Sequence, residues 1–174
     1  MKKIIGVLFF VTCQFLCVNA SYSEVIERIV AIVNNDIILL SEFQSLLQSA
    51  KESDSSVSRE SVLNKMIDNM LLLNEANKFK ISVSGKTKKA DTDNSVVVGE
   101  YIDRRIRALI HVPYEDIEHY YQMNRDLYRD KDIYDVRDAI EEQLVEAELR
   151  SKLREYIEEL RKKAYVRIQL NEEN

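Results

Sequence analysis

The scarcity of helix-breaking residues limits what this chain can fold into more than any other feature of its sequence. Among 174 residues there are three glycines and one proline, at Gly6, Gly85, Gly99 and Pro113. These two residue types are the ones that most often end or interrupt helices. Because Glu, Lys, Arg and Leu, which favour helices, fill much of the remainder, we predict a mostly α fold.

Residues 1–20 have the layout of a secretory signal peptide. Lys2 and Lys3 precede a mostly apolar run that ends at Val18, and Ala20 occupies the position before a cleavage site. We expect cleavage after Ala20, which leaves one domain at residues 21–174. The alternative is an uncleaved membrane anchor, but the apolar run is shorter than the roughly 20 residues that a membrane-spanning helix needs.

Removal of this leader changes the chemistry available to the mature chain. Cys13 and Cys17, the two cysteines of the sequence, both lie within it, so disulfides, thiolate catalysis and cysteine-bound metals are excluded. Loss of Lys2 and Lys3 also moves the formal net charge from −5 to −7. A mildly acidic chain lacks the basic face that nucleic-acid phosphates require.

The two ends of the domain carry strand patterns. Residues 28–40 are β-branched and apolar on both sides of an Asn34-Asn35 turn, which indicates a tight hairpin. Residues 165–170 alternate between apolar and polar side chains, which also predicts a strand. We therefore predict a small antiparallel sheet of hairpin and C-terminal strand, and we expect it to bury Val30, Ile32, Val166 and Ile168.

Helical periodicity fills most of the sequence between these strands. Apolar residues recur at three- and four-residue spacing from Val62 to Phe79 and again from Val98 to Leu109. Pro113 begins a further helix, and a long one runs from about Asp132 to Lys163. Residues 84–95 are polar and without periodicity, and we predict that they form an exposed loop.

Few residues are suited to catalysis or metal binding. His111 and His119 are the two histidines of the chain, and even on one continuous helix they would lie about 12 Å apart along its axis. Zinc ligands must sit about 2 Å from the ion, so we predict no metal site. Gly85-Lys86-Thr87 lacks the upstream glycine of a phosphate-binding loop. We predict no catalytic residues and no cofactor.

Tyrosine is concentrated in the second half of the chain. Six tyrosines lie between Tyr101 and Tyr134, and tyrosine combines a large apolar ring with a polar tip that suits the gripping of varied peptides. Methionine adds an adaptable side chain. The alternative is that these rings simply pack between helices. The candidate residues for binding polypeptide are Met66, Met70, Tyr101, Tyr120, Tyr121 and Tyr128.

Four segments, in this order, resemble the SurA-type periplasmic chaperone family. Residues 25–43 (VIERIVAIVNNDIILLSEF) are similar to the family's opening hairpin and the start of its first helix. Residues 66–76 (MIDNMLLLNEA) resemble its second helix, and residues 112–121 (VPYEDIEHYY) the helix that leads into its isomerase domains. Residues 160–168 (LRKKAYVRI) are similar to its last helix and returning strand.

This resemblance implies a SurA-N-like helical domain that binds unfolded or outer-membrane protein segments in the periplasm without ATP. The family's parvulin domains fall between the equivalents of Tyr121 and Asp132, where this chain has about ten residues instead of roughly 100. Prolyl isomerase activity is therefore not expected. The family also has extra helices at the predicted 84–95 loop, and commonly a helix-ending glycine where this chain has Lys80.

Two other functions remain open from the sequence. The shortened middle of the chain favours a structural or adaptor domain with one dedicated protein partner. An enzyme is the second alternative, and only His111 and His119 support it.

Overall fold

The computed structural model describes residues 27–80 and 94–170. The predicted leader at residues 1–20 lies outside this part of the chain. So does most of the predicted 84–95 loop, except that Asn94 and Ser95 belong to the first turn of a helix. No helix in the described ranges is long and apolar enough to cross a membrane.

A tight hairpin opens the fold, as predicted. Strand β1 (Ile29–Val33) and strand β2 (Asp36–Leu39) pair antiparallel, with Val33 opposite Asp36 and Ile32 opposite Ile37. Asn34 in the turn has a φ of 55°. Asparagine tolerates this left-handed conformation better than most residues do, because its short polar side chain can form local hydrogen bonds.

The chain returns at its C-terminal end to complete the sheet. Strand β3 (Val166–Ile168) pairs antiparallel with β1, which gives the strand order β2-β1-β3. The predicted sheet is confirmed, but the prediction of its buried residues is partly wrong. β1 buries Val30, Ala31 and Val33, whereas Ile168 is 52% exposed and Ile32 and Val166 are half-buried. β3 is an edge strand, so its side chains have neighbours on one side only.

Helices make up most of the described chain, in agreement with the predicted fold class. Each of the predicted helices is present within a few residues of its expected bounds. The α-helices are α1 (Leu40–Ser53), α2 (Arg59–Lys78), α3 (Asn94–Arg105), α4 (Tyr114–Met123) and α5 (Ile133–Lys163), with 3₁₀ turns at Arg107–Leu109 and Arg125–Tyr128.

Two apolar cores lie at different places along α5. The larger one joins the inner face of the sheet to α1, α2 and α3 and to the C-terminal half of α5, with Phe43, Ile67 and Leu160 among its buried residues. The smaller one packs α4 against the first half of α5 around Ile117 and Ile140. α5 therefore connects both cores through one continuous helix, about 46 Å long at 1.5 Å per residue.

Candidate functional site

A groove of about 500 Å³ lies between α1, α2 and α3, beside β2. We call it the methionine groove, because Met66 and Met70 line it from α2, one helical turn apart. Both side chains are half-buried. The groove is lined mostly by apolar side chains, namely Ile38, Leu46, Met66, Met70, Leu73, Val98 and Ile102.

The α3 wall of the methionine groove leaves space open in the middle. Val98 and Ile102 stand one turn apart on this helix, with Gly99 between them. Apart from its chain neighbours and the backbone of its own helix, a Cβ atom added at Gly99 would meet no atom of the described residues within 4 Å. Glycine is unfavourable inside a helix by roughly 0.5–1 kcal/mol relative to alanine, so its effect here is to widen the groove rather than to stabilise the helix.

Tyr101 lies on another face of α3, inside the larger core. It is 2% exposed, its ring stacks on Phe79 at 5.9 Å, and its hydroxyl lies 2.6 Å from that of Tyr156. Burial, together with this hydrogen bond, raises the pKa of Tyr156. Tyr101 thus packs between helices, which was the alternative to a role in binding, and its hydroxyl joins α3 to α5.

Tyr121 and Tyr128 belong to the smaller core. The Tyr121 ring stacks on that of Tyr128 at 5.7 Å, and its hydroxyl donates a hydrogen bond to the backbone oxygen of Lys131 at 2.9 Å. Tyr121 is 8% exposed, while Tyr128 is half-buried. These rings close the connection between α4 and α5.

A second groove, of about 860 Å³, lies between α4, α5 and the segment that precedes Pro113. Tyr120 lines it and accepts a hydrogen bond from Gln143 at 2.6 Å. His111 and His119, for which the sequence predicts a separation of about 12 Å along a helix axis, line this same groove. Within residues 27–80 and 94–170, however, no group of three or more His, Cys, Asp or Glu side chains could hold a metal ion.

The six candidate residues therefore do not form one site. Met66 and Met70 share the methionine groove, Tyr120 lies in the second groove, and Tyr101, Tyr121 and Tyr128 pack within the cores. Sequence reasoning missed the opposite walls of the methionine groove, which come from Leu46 on α1 and Val98 and Ile102 on α3. A glycine inside a helical pattern, at Gly99, was the one local signal of that wall.

Comparisons with known proteins agree with part of the resemblance seen in the sequence. No protein-family model matches the chain. The chain is similar to the chaperone SurA of Buchnera aphidicola subsp. Schizaphis graminum, with 36% identity over 92 residues. That match covers 48% of this chain but only 21% of the relative, so the likeness extends to about a fifth of a SurA chaperone.

Proposed function

We propose that this chain is a chaperone that binds unfolded polypeptide segments without ATP, and that the methionine groove holds the bound segment. The observation that carries the proposal is an open, apolar groove with two methionines on one wall and a glycine on the other. The partial likeness to a SurA chaperone supports the same function.

The side chains of this groove suit a ligand of variable sequence. Methionine is unbranched and can repack around different shapes, so Met66 and Met70 can adapt to more than one apolar residue. A volume of about 500 Å³ falls within the usual range for ligand pockets, about 300–1,000 Å³. Burial of apolar area at roughly 25 cal/mol per Å² then supplies affinity without nucleotide hydrolysis.

The compartment and the clients are further parts of the proposal. We propose export to the periplasm through the leader at residues 1–20, and outer-membrane protein segments as clients. We also propose that the chain has no prolyl isomerase activity. The stretch from Gln122 to Lys131, where isomerase-bearing relatives carry that domain, contains the end of α4 and one 3₁₀ turn.

Filling the groove from Gly99 tests the proposed site. Gly99→Phe places a large ring into open space, so we expect the fold to remain and suppression of client aggregation to fall strongly. Gly99→Ala is the matched control, since it changes the same backbone position but fills little volume. We expect it to keep activity and to raise the free energy of unfolding by about 0.5–1 kcal/mol. Full activity in a folded Gly99→Phe protein would contradict the site.

The number of clients separates this function from that of an adaptor. A chaperone should suppress the aggregation of several unrelated unfolded proteins. Gly99→Phe should reduce this suppression for each of these proteins. A dedicated adaptor should protect none of them and bind one folded partner. Activity toward several clients therefore supports the chaperone, and activity toward none supports the adaptor.

A further inference from the structure

Among the described residues that line the methionine groove, Glu42 is the one acidic or basic residue. The other described residues that line it are apolar, amide, hydroxyl or glycine residues. Glu42 lies in the first turn of α1 and lines the groove together with Ile38 of β2. The described lining of the groove is therefore a mostly apolar surface with a single carboxylate.

Local structure holds this carboxylate in place. Oε2 of Glu42 accepts a hydrogen bond from the backbone N–H of Leu39 at 3.1 Å, and Leu39 occupies the N-cap position of α1. Such a bond satisfies one of the donors that a helix start leaves open. The position of Glu42 is thus set by the transition from strand to helix.

The carboxylate has no cationic partner in the described part of the chain. No lysine or arginine of residues 27–80 and 94–170 forms an ion pair with Glu42, and its side chain is exposed. A cation brought by a bound segment would therefore not compete with an ion pair between Glu42 and any lysine or arginine of these described residues.

We propose that Glu42 is a specificity-determining residue, which selects apolar segments that also carry a lysine or arginine. This inference rests on the proposed function of the methionine groove and names the substrate class within it. The apolar side chains of the segment bind between Met66, Met70 and Ile102, and its basic side chain pairs with Glu42. An acidic residue at the same place in the segment is repelled.

The magnitude of this preference follows from the exposure of Glu42. Ion pairs at the protein surface contribute about 0.2–1 kcal/mol, so a basic segment should bind up to about five-fold more tightly than a neutral one. Since the Debye length falls from about 10 Å at 0.1 M salt to about 3 Å at 1 M, high salt should remove most of the preference.

Glu42→Gln tests the charge without removing the helix cap, because the glutamine carbonyl can still accept the hydrogen bond from Leu39. The matched control is Glu60→Gln, which makes the same change in net charge in the first turn of α2, outside the groove. The probes are three labelled short peptides of alternating Leu and Ser, in which one Ser is kept or is replaced by Lys or by Glu. Fluorescence anisotropy gives the Kd of each for the full chain.

We expect the lysine peptide to bind about two- to five-fold more tightly than the serine peptide, and the glutamate peptide to bind less tightly than either. Glu42→Gln should bring the three Kd values together, while Glu60→Gln keeps the preference. Equal Kd values in the unmodified protein, or a preference that persists in Glu42→Gln, would overturn the inference and leave the proposed function standing. If the serine peptide itself does not bind, both are overturned.

Discussion

Asn34 and Tyr165 exchange two hydrogen bonds across a separation of 131 residues. The backbone N–H of Asn34 donates to the oxygen of Tyr165 at 2.8 Å, and the N–H of Tyr165 donates to Oδ1 of Asn34 at 2.9 Å. The residue that forms the hairpin turn therefore also fixes the beginning of β3.

Substitutions at Asn34 should separate the effects of its side-chain hydrogen bond and of its positive φ on the free energy of unfolding. Asn34→Ala should lower the free energy of unfolding by about 2 kcal/mol, because it loses the side-chain hydrogen bond and places an ordinary residue at positive φ. Asn34→Gly tolerates the φ and should lose only about 1 kcal/mol. Urea unfolding measures both, with Asn35→Ala as a control that should stay within about 0.5 kcal/mol. Equal losses in the two Asn34 variants would contradict the role of positive φ.

Truncation after Ala164 should destabilise the whole domain. It removes the partly buried Val166 and Leu170 from the larger core and unpairs the backbone of β1 from β3. Half-buried aliphatic side chains and lost hydrogen bonds each contribute about 1 kcal/mol, so we expect a loss of about 3–6 kcal/mol and a Tm lower by roughly 10 °C or more. Thermal unfolding beside the full chain measures this. Two proteins that melt within a few degrees of each other would show that β3 is not needed.

Lys80 should be a site where glycine stabilises the protein. Its φ is 49° and its N–H donates to the oxygen of Asn77 at 3.1 Å, just after α2 ends. A lysine in this left-handed conformation costs about 1 kcal/mol that glycine avoids, so Lys80→Gly should raise the free energy of unfolding by that amount. Lys78→Gly, at the last residue of α2, should instead lower it by up to about 1 kcal/mol, because glycine is unfavourable in a helix and the ion pair of Lys78 with Glu75 is lost. Chemical denaturation should show these opposite changes in the free energy of unfolding. A lower free energy of unfolding in both variants would contradict the conclusion that the positive φ of Lys80 is unfavourable for lysine.

The Tyr101–Tyr156 pair should make stability depend on pH in the alkaline range. Burial and the hydrogen bond between the hydroxyls of Tyr156 and Tyr101 raise the pKa of Tyr156 in the folded protein, whereas an unfolded tyrosine has a pKa of about 10. Above about pH 10 the unfolded state therefore binds fewer protons than the folded state, so the free energy of unfolding falls as pH rises. Below that pH the contribution is fully present.

Denaturation between about pH 8 and pH 11 tests this sign. The free energy of unfolding should decline less with pH in Tyr156→Phe. This variant should also be about 1 kcal/mol less stable at neutral pH, because it lacks the hydrogen bond to Tyr101. Tyr134→Phe is the control, because Tyr134 is 78% exposed; we expect it to decline as the unmodified protein does. An equally steep decline in Tyr156→Phe would show that another group is responsible.

The leader prediction concerns residues outside the described part of the chain. We expect the exported protein to begin at Ser21, since Ala20 ends the cleavage site that the sequence predicts. Intact mass spectrometry of the periplasmic fraction distinguishes this start from a chain that retains Met1 to Ala20. A retained leader would instead indicate a protein anchored at the membrane surface.

Local patterns predicted most of the secondary structure. The helix from Val62 to Phe79 follows from apolar spacing, and the turn at Asn34 from a residue that tolerates positive φ. Both depend on neighbours within a few positions, where backbone sterics and side-chain periodicity act directly. The exact starts differ, as at Asn94, because helix ends depend on the few local hydrogen bonds that a cap supplies.

The tertiary structure decided which of these elements form a surface and which a core. Composition marked Tyr101 and Met66 alike as candidates for binding, but Tyr101 is buried against the rings of Phe79 and Tyr156, whereas Met66 lines a groove. Whether a helical face is covered depends on the crossing of helices that are distant in sequence, and apolar spacing looks the same in either case. The sequence by itself determined the elements and the meeting of the two ends of the domain, whereas the packing of helices against each other and against β2 determined the methionine groove.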